Sequence, residues 1–203
     1  LALPDNSVIA VPDVSFIASA SSIVNAGHTP FFIDVDKETG LANEAQIIEL
    51  IDSQRIAAFI AVHLYGQMME LSDIYIAAQK KGIFVIEDAA QAVGARRKGD
   101  PPGKYSDAVC VSFDPTKVIG AFGSGGAIIT DRAAIDDNAK SLRYHGKGGI
   151  QDFVQVGYNS QMASLQAGVV AYKLEKEKEW RLKRTAIANQ YNEVIDPCEG
   201  LSR

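Results

Sequence analysis

Polar side chains that could do chemistry stand at the ends of three apolar runs of the chain. His63 closes the run AAFIAVH, Asp88 and Gln91 follow the run IFVIE, and the run AVCVSF carries Ser112 with Lys117 in the segment behind it. Ligands of open α/β sheets bind outside the carboxyl ends of the strands. If these runs are neighbouring parallel strands, a carboxylate, an amide, a hydroxyl and an amine therefore converge on one site.

Lys117 has the most demanding chemistry of this set. It follows Asp114-Pro115-Thr116 and precedes Val118-Ile119 and a glycine-rich segment. An apolar surrounding penalises the charged ammonium and so lowers the pKa of a lysine. A neutral amine forms an imine with a carbonyl compound, and we therefore predict that Lys117 binds an aldehyde cofactor. The alternative is a solvated surface lysine, which is the usual state of this residue type.

Asp88 directly follows Glu87 at the end of a predicted strand. Successive side chains of a strand point to opposite faces, so one acid is expected to pair locally while the other faces a ligand. A buried aspartate beside a pyridine nitrogen keeps that nitrogen protonated, which makes the ring an electron sink. The alternative for Asp88 is an N-cap of the residues that follow it.

The glycine-rich segment Gly123-Ser124-Gly125-Gly126 invites comparison with phosphate-binding loops. It lacks the GxxxxGK[ST] spacing and precedes a predicted strand instead of a helix. Anion binding at a helix N-terminus therefore does not apply here. We interpret the segment as a flexible turn that shapes the loop carrying Lys117.

The elements that must position these residues alternate between strands and helices. The strands are continuous apolar runs, which predicts that both of their faces are buried in a parallel or mixed sheet between helices. Asn43 is expected to cap a helix at its start, and Gly27 and Gly82 are expected to end helices. Predicted strands cover 7–11, 30–34, 57–63, 83–87, 108–113 and 127–130, and predicted helices cover 15–26, 43–51, 72–81, 132–143 and 160–194.

Composition and charge restrict the class of protein. The 203 residues are 47% apolar and 22% charged, which is enough for a large packed core. A net charge of −5 and short basic runs at 96–98 and 181–184, interpreted as solvated surface, predict no nucleic-acid partner. No apolar stretch approaches the roughly 20 residues of a membrane span, so no membrane partner is expected.

Cysteine usage and the first residues bear on the compartment. Cys110 and Cys198 make no disulfide framework, and Cys110 lies in an apolar run, so a buried free thiol and a cytoplasmic location are expected. No signal-peptide pattern is visible. The chain opens on Leu1-Ala2-Leu3-Pro4 without an initiator methionine, and we interpret it as a fragment of a longer protein.

A composite of motifs is more specific than any one of them. In order along the chain they are VP at 11–12, SFIA at 15–18, DVD at 34–36, VHLYG at 62–66, EDAAQA at 87–92, SF at 112–113, Lys117, GSGGA at 123–127, HG at 145–146 and GYNSQM at 157–162. Together they resemble the DegT/DnrJ/EryC1/StrS family of pyridoxal-phosphate-dependent sugar aminotransferases. The resemblance covers nearly the whole chain.

The resemblance implies an α/β fold, the large domain of fold-type I pyridoxal phosphate enzymes, with a mostly parallel sheet between helices. It implies that Lys117 forms a Schiff base with pyridoxal 5'-phosphate and moves protons during the reaction. Asp88 would pair with the pyridinium nitrogen, Gln91 would lie close to the ring and its 3-hydroxyl, and Ser112 would bind the phosphate. Asn159 would reach the phosphate of the neighbouring subunit's cofactor, because the family's sites form across a homodimer interface.

The implied reaction moves an amino group from an amino-acid donor, commonly glutamate, to a nucleotide-linked keto sugar, as in polysaccharide biosynthesis. Two alternatives stay open, namely a non-catalytic regulator with the same fold and a different reaction on the same cofactor, such as dehydration. Lysine at position 117 disfavours the dehydratase branch of the family, which has histidine there.

Three positions depart from the family pattern, with Asp114 where histidine is common, Ser124 where an acid is common and Gln161 where arginine is common. The family's N-terminal phosphate-binding turn and ring-stacking aromatic residue have no counterpart. We therefore expect residues 1–160 to form a cofactor-binding domain that is incomplete at its N-terminus. Residues 161–203 are expected to form a helical exit toward a missing C-terminal small domain.

Overall fold

Six strands and six helices make up the part of the chain that the computed structural model describes, residues 1–150 and 152–195. Cys198 lies outside these residues. A short 3-10 turn, Leu64–Gly66, follows the third strand. The strands are β1 (Val8–Pro12), β2 (Thr29–Ile33), β3 (Ala58–Val62), β4 (Phe84–Asp88), β5 (Ala108–Ser112) and β6 (Gly126–Ile129), and the helices are α1 (Ile17–Asn25), α2 (Glu44–Asp52), α3 (Ser72–Lys81), α4 (Ala133–Arg143), α5 (Ser164–Leu174) and α6 (Glu177–Ile195).

The strands form one sheet in the order β2-β1-β3-β4-β5-β6. The first five are parallel, and β6 runs antiparallel to β5. Asp88 stands opposite Val62 on one side and Cys110 on the other. The carboxyl ends of β3, β4 and β5 therefore meet at one edge of the sheet, as the sequence predicted.

Helix ends follow the predicted signals where those signals are local. The side chain of Asn43 accepts a hydrogen bond from the backbone N–H of Gln46 and caps α2. Gly82 ends α3 in the left-handed conformation, with φ of 69°, and Gly27 has φ of 79° just behind α1. Both glycines therefore have the role that the sequence predicted, since side chains with a Cβ rarely adopt such φ values.

The prediction of one helix over 160–194 is wrong, because α5 and α6 are separate helices. The backbone N–H of Lys176 bonds to the carbonyl of Lys173, a tightened turn that separates the two helices. Val170 of α5 is buried in an apolar cluster with Ile119, and Trp180 of α6 packs on the same cluster. The break thus lets both helices contact one cluster, and it lies in a polar stretch that has no glycine or proline to signal it.

Burial of both sheet faces is confirmed at the centre of the sheet and wrong at its end. All five residues of β3 are buried, whereas all four residues of β6 are exposed. Ile128 and Ile129 keep 54% and 55% of their surface exposed, whereas Ile33 of the other terminal strand, β2, is fully buried. The apolar run therefore predicted correctly that a strand forms here, but it did not predict whether other elements pack on that strand.

Cys110 corrects a second expectation about burial. Its residue is exposed and lines a cavity, so the predicted buried thiol is wrong. Desolvation by the surrounding protein, together with the negative charge of Asp88, nonetheless raises the pKa of Cys110 to about 11.

None of the helices within residues 1–150 and 152–195 has both the length and the apolar character needed to cross a membrane.

Candidate active site

A cavity of about 600 Å³ opens at the carboxyl ends of β3, β4 and β5. Helix α1 and the segment behind β5 form its other walls. This volume is typical of sites for small molecules and cofactors. The predicted convergence is confirmed, since the wall includes His63, Asp88, Gln91, Ser112 and Lys117.

Asp88 presents a fixed carboxylate to this cavity. Its Oδ2 accepts a hydrogen bond of 2.8 Å from the hydroxyl of Ser19, and its Oδ1 accepts one of 3.1 Å from the backbone N–H of Ala90. The second bond fixes the turn after β4, but no helix begins there, so the N-cap alternative is wrong. The pairing of Asp88 with a ring nitrogen stays a prediction. Ser19 was missed in the sequence because it lies 69 positions away. The only available signal was a pair of small polar residues, Ser15 and Ser19, one helical turn apart.

Glu87 points away from Asp88 and pairs locally, as predicted for adjacent acids at a strand end. Its Oε2 lies 2.6 Å from Nε2 of His63, and its Oε1 accepts a 2.8 Å bond from the backbone N–H of Gly103. Both side chains of the pair are buried. Burial acts to raise the pKa of Glu87, but His63, followed by the hydroxyl of Ser106 and the backbone N–H of Gly103, outweighs it and holds the pKa below its ordinary value.

The segment that carries Lys117 is a tight turn behind β5. Asp114 accepts two hydrogen bonds from Thr116, one from the backbone N–H at 3.0 Å and one from the hydroxyl at 2.6 Å. These bonds, with the nearby charge of Lys117, hold the pKa of Asp114 below its ordinary value. The backbone N–H of Lys117 donates to the Asp114 carbonyl. A Cβ on Gly120 would lie 2.6 Å from the Pro115 carbonyl oxygen, so the turn requires glycine there.

Helix α5 braces this turn from outside. The Oε1 atom of Gln166 accepts a 2.7 Å bond from the backbone N–H of Phe122. The amine of Lys173 donates to the carbonyl of Gly120. The end of the segment that carries Lys117, at Gly120 and Phe122, is therefore held by side chains more than 40 positions away.

The glycine-rich segment 123–126 is a packed turn between the turn that carries Lys117 and β6. A Cβ on Gly125 would lie 2.7 Å from the sulfur of Met162, and one on Gly126 would lie 2.7 Å from the Val111 carbonyl oxygen. Strand β6, not a helix, begins at Gly126. The predicted turn ahead of a strand is confirmed, but its glycines are closely packed, so the expected flexibility is wrong.

The side-chain amide of Gln91 has a fixed orientation. Its Oε1 accepts a 2.7 Å hydrogen bond from the backbone N–H of Tyr65, which lies in the 3-10 turn after β3. Only the oxygen of an amide accepts a hydrogen bond, so Nε2 is left as a donor. Gly66 packs closely here, because a Cβ on it would lie 3.2 Å from the Gln91 carbonyl oxygen.

Ser112 and Asn159 differ in where the structure places them. Ser112 is half-buried in the cavity wall, and its Oγ accepts a 3.2 Å bond from the backbone N–H of Asp114. Asn159 is exposed, pairs with Tyr144 in an isolated β-bridge and lies outside this wall. The chain therefore does not bring Asn159 to its own cavity, and the predicted contact with a neighbouring subunit stays a prediction.

The basic run at 96–98 is exposed, as predicted, and two of its side chains also pair with Glu70. Lys98 and Arg97 lie 2.7 Å and 3.2 Å from Oε2 of Glu70, and Arg97 also donates to the Met68 carbonyl. These bonds fix Met68 and Glu70, at the end of the loop that follows β3. Lys98, then Arg97, lower the pKa of Glu70 to about 2.

Glu70 should make the stability of the protein depend on pH. Its folded pKa lies below the ordinary value of 4.5, so its contribution is full above about pH 4.5 and is lost as pH falls toward 2. We expect Glu70→Gln to lower the free energy of unfolding at pH 7 by less than about 1 kcal/mol, since the pair is near the surface. Urea unfolding at pH 7 and pH 3.5 measures this, with Glu49→Gln, at an exposed position of α2, as control. A difference in unfolding free energy between wild type and Glu70→Gln that is larger at pH 3.5 than at pH 7 would contradict the lowered pKa of Glu70.

The chain belongs to the DegT/DnrJ/EryC1/StrS aminotransferase family, whose model matches residues 2–203. It is 40% identical to UDP-N-acetyl-3-dehydro-alpha-D-glucosamine 3-aminotransferase of Acidithiobacillus ferrooxidans, over 82% of this chain and 45% of that protein. It is 37% identical to a pleiotropic regulatory protein of Geobacillus stearothermophilus, over 92% of this chain and 50% of that protein.

A solved structure of the same fold holds a cofactor. NtdA from Bacillus subtilis with bound cofactor PMP superimposes with a TM-score of 0.81 at 28% identity, over 97% of this chain and 45% of that one. The fold is thus that of the pyridoxal-phosphate-dependent aminotransferases, as the resemblance implied. The chain spans about half the length of the relatives it matches.

The residues of the cavity fit the cofactor of this family, pyridoxal phosphate. Asp88 offers a carboxylate for a protonated ring nitrogen, and Lys117 offers an amine for an aldehyde. Gln91 offers an N–H donor, and Ser112 offers a hydroxyl. The donor set therefore matches the charged and polar groups of the cofactor.

Ser19→Ala should weaken cofactor binding by roughly tenfold or less, since it removes one of the two donors that fix the Asp88 carboxylate. Titration of the full-length cofactor-free protein with pyridoxal phosphate, followed by absorbance, measures the dissociation constant. Ser21→Ala in the same helix is the control, because Ser21 lies outside the cavity wall. Equal dissociation constants for Ser19→Ala and wild type would show that the bond is not used.

Proposed function

We propose that the full-length protein containing this chain moves an amino group from an amino-acid donor, glutamate, to a keto carbon of a nucleotide-linked sugar. The observation that carries the proposal is the cavity that brings Asp88 and Lys117 together with Gln91 and Ser112 at the carboxyl edge of the sheet. Membership of the family supports the reaction. The name of the Acidithiobacillus relative, an aminotransferase for a UDP-linked dehydro sugar, supports the substrate class.

Pyridoxal phosphate, when bound, supplies an aldehyde that accepts the amino group and a ring that withdraws electrons. Lys117 would hold the cofactor covalently through Nζ until the amine of the donor displaces it. The freed Nζ would then take the proton from the donor's α-carbon and deliver it to the carbon that was the cofactor's aldehyde carbon. Asp88 keeps the ring nitrogen protonated, and its two hydrogen bonds hold the carboxylate in place for that task. Gln91 donates to the ring oxygen, and Ser112 binds the phosphate.

We also infer a cytoplasmic homodimer in which Asn159 contacts the cofactor of the partner subunit. Asn159 is exposed and lies outside the cavity wall of its own chain, which supports a contact elsewhere. The segment before it exposes apolar side chains, with Phe153 at 66% and Val156 at 92% of their full surface. An exposed apolar segment of this kind is typical of subunit interfaces.

The half-reaction with glutamate tests this proposal. Full-length protein loaded with pyridoxal phosphate should convert labelled glutamate into one equivalent of 2-oxoglutarate per site, and its visible absorbance band should fall as it does so. Adding a nucleotide-linked keto sugar should restore the band and allow turnover. A loaded, folded protein that forms no 2-oxoglutarate would refute the proposed aminotransfer.

A non-catalytic regulator is the second candidate, favoured by the name of the relative from Geobacillus stearothermophilus. Such a protein would bind the cofactor without transferring amino groups. The same experiment separates the two, because a regulator would show the absorbance band and no 2-oxoglutarate. The presence of both Lys117 and Asp88 in one cavity favours the enzyme.

A further inference from the structure

We propose that the buried His63–Glu87 pair positions Gln91, by anchoring the turn whose backbone fixes the direction of the Gln91 amide. The inference rests on the proposed function and deepens it, because that function makes Gln91 a ligand of the cofactor ring. It names two positioning residues that do not themselves touch the reacting atoms.

The hydrogen bonds of His63 select one tautomer of its ring. Nδ1 accepts a 3.3 Å hydrogen bond from the backbone N–H of Met69, so it carries no hydrogen. Nε2 therefore carries the hydrogen and donates to Oε2 of Glu87 at 2.6 Å. Glu87 is itself fixed by the N–H of Gly103. The carboxylate thus sets the tautomer, and the tautomer creates the acceptor that holds Met69.

The anchored loop contains a strained residue. Tyr65 has φ of 56°, a left-handed conformation that non-glycine residues rarely adopt and that persists only where neighbours enforce it. Its side chain is 85% exposed and so contributes little packing. The conformation is held by the backbone bond from Gly66 to the His63 carbonyl and by the anchor at Met69.

The strained residue points its backbone N–H at Gln91. Oε1 of Gln91 accepts this bond at 2.7 Å, which leaves Nε2 as the donor. Within residues 1–150 and 152–195, no protein group accepts a hydrogen bond from Nε2 of Gln91, and Gln91 lines the cavity. If the loop relaxes, Tyr65 no longer dictates which end of the amide faces the cavity.

The first test uses the full-length protein without cofactor. Backbone hydrogen exchange of Tyr65 and Met69, relative to Phe59 in β3, should accelerate at least about tenfold in His63→Ala and in Glu87→Gln. His63→Asn should largely restore slow exchange, because its side-chain oxygen replaces Nδ1 as acceptor. Ile47→Ala, a truncation in the core of α2, is the control for general destabilisation and should leave the ratio unchanged. Unchanged ratios in His63→Ala and Glu87→Gln would overturn the anchor.

The second test is a double-mutant cycle on cofactor binding, which separates positioning from a structural role. His63→Ala and Gln91→Ala should each raise the dissociation constant of pyridoxal phosphate by roughly tenfold, the value of one hydrogen bond. The double variant should be no weaker than either single one. A hundredfold, additive loss would overturn the coupling. If the wild type bound no cofactor, the proposed function would fail. The exchange ratios would still show whether the His63–Glu87 pair anchors the turn.

Discussion

Lys117→Ala is expected to lower kcat for transamination by roughly 10⁴-fold, the upper range for a group that moves protons in the reaction. The variant loses both the covalent hold on the cofactor and the base at the donor's α-carbon, since one amine has both tasks. Its fold should be retained, because the side chain of Lys117 makes no ion pair within the described residues. Lys117 contributes to the turn through its backbone N–H, which the substitution keeps. Initial rates of the full-length protein with glutamate and a nucleotide-linked keto sugar measure the effect.

Lys80→Ala is the matched control for this experiment, because Lys80 is an exposed lysine of α3 far along the chain from the turn. It should leave kcat unchanged. Circular dichroism should show the same secondary structure for both variants and wild type. If Lys117→Ala kept more than a tenth of the wild-type kcat, Lys117 would not be the amine that the reaction needs.

Asp88→Asn should lower kcat by about 10²- to 10³-fold, as is typical when one preorganised electrostatic contact is removed. An amide has no negative charge to keep the ring nitrogen protonated, so the ring withdraws electrons less strongly. The amide oxygen can accept the bond from the Ala90 N–H while the amide nitrogen donates to the Ser19 hydroxyl, and the local structure should therefore change little. Single-turnover rates with glutamate measure the proton-removal step directly.

Asp34→Asn is the control for Asp88→Asn, since Asp34 follows β2 at the same edge of the sheet but lies outside the cavity wall. It should not change the single-turnover rate. A second observable is the absorbance of the bound cofactor, which should shift in Asp88→Asn and not in Asp34→Asn. Equal rates for Asp88→Asn and wild type would remove Asp88 from the proposed machinery.

Signals that depend on a few neighbouring residues were reliable in the sequence. Asn43 caps α2 and Gly82 ends α3 as predicted, because cap geometry is decided within one turn of the backbone. The convergence of Asp88 and Lys117 followed from one rule of parallel sheets, and the family motifs reinforced it.

Features that depend on tertiary packing could not be predicted. The bond from Ser19 to Asp88 joins residues that only the folded sheet brings together. The exposure of Cys110 and of β6 depends on what covers the sheet, which an apolar run does not specify. The break between α5 and α6 accompanies the packing of Trp180 on the cluster of Val170, and no local residue type signals it.

Borohydride reduction followed by peptide mass analysis tests the central claim most directly. Reduction of the full-length, cofactor-loaded protein converts an imine to a stable amine, so the modified lysine keeps the cofactor through digestion. We predict a pyridoxyl group on the peptide that contains Lys117, at near one equivalent per chain, and none on that peptide after Lys117→Ala. A pyridoxyl group spread over surface lysines, with Lys117 unmodified, would contradict the account.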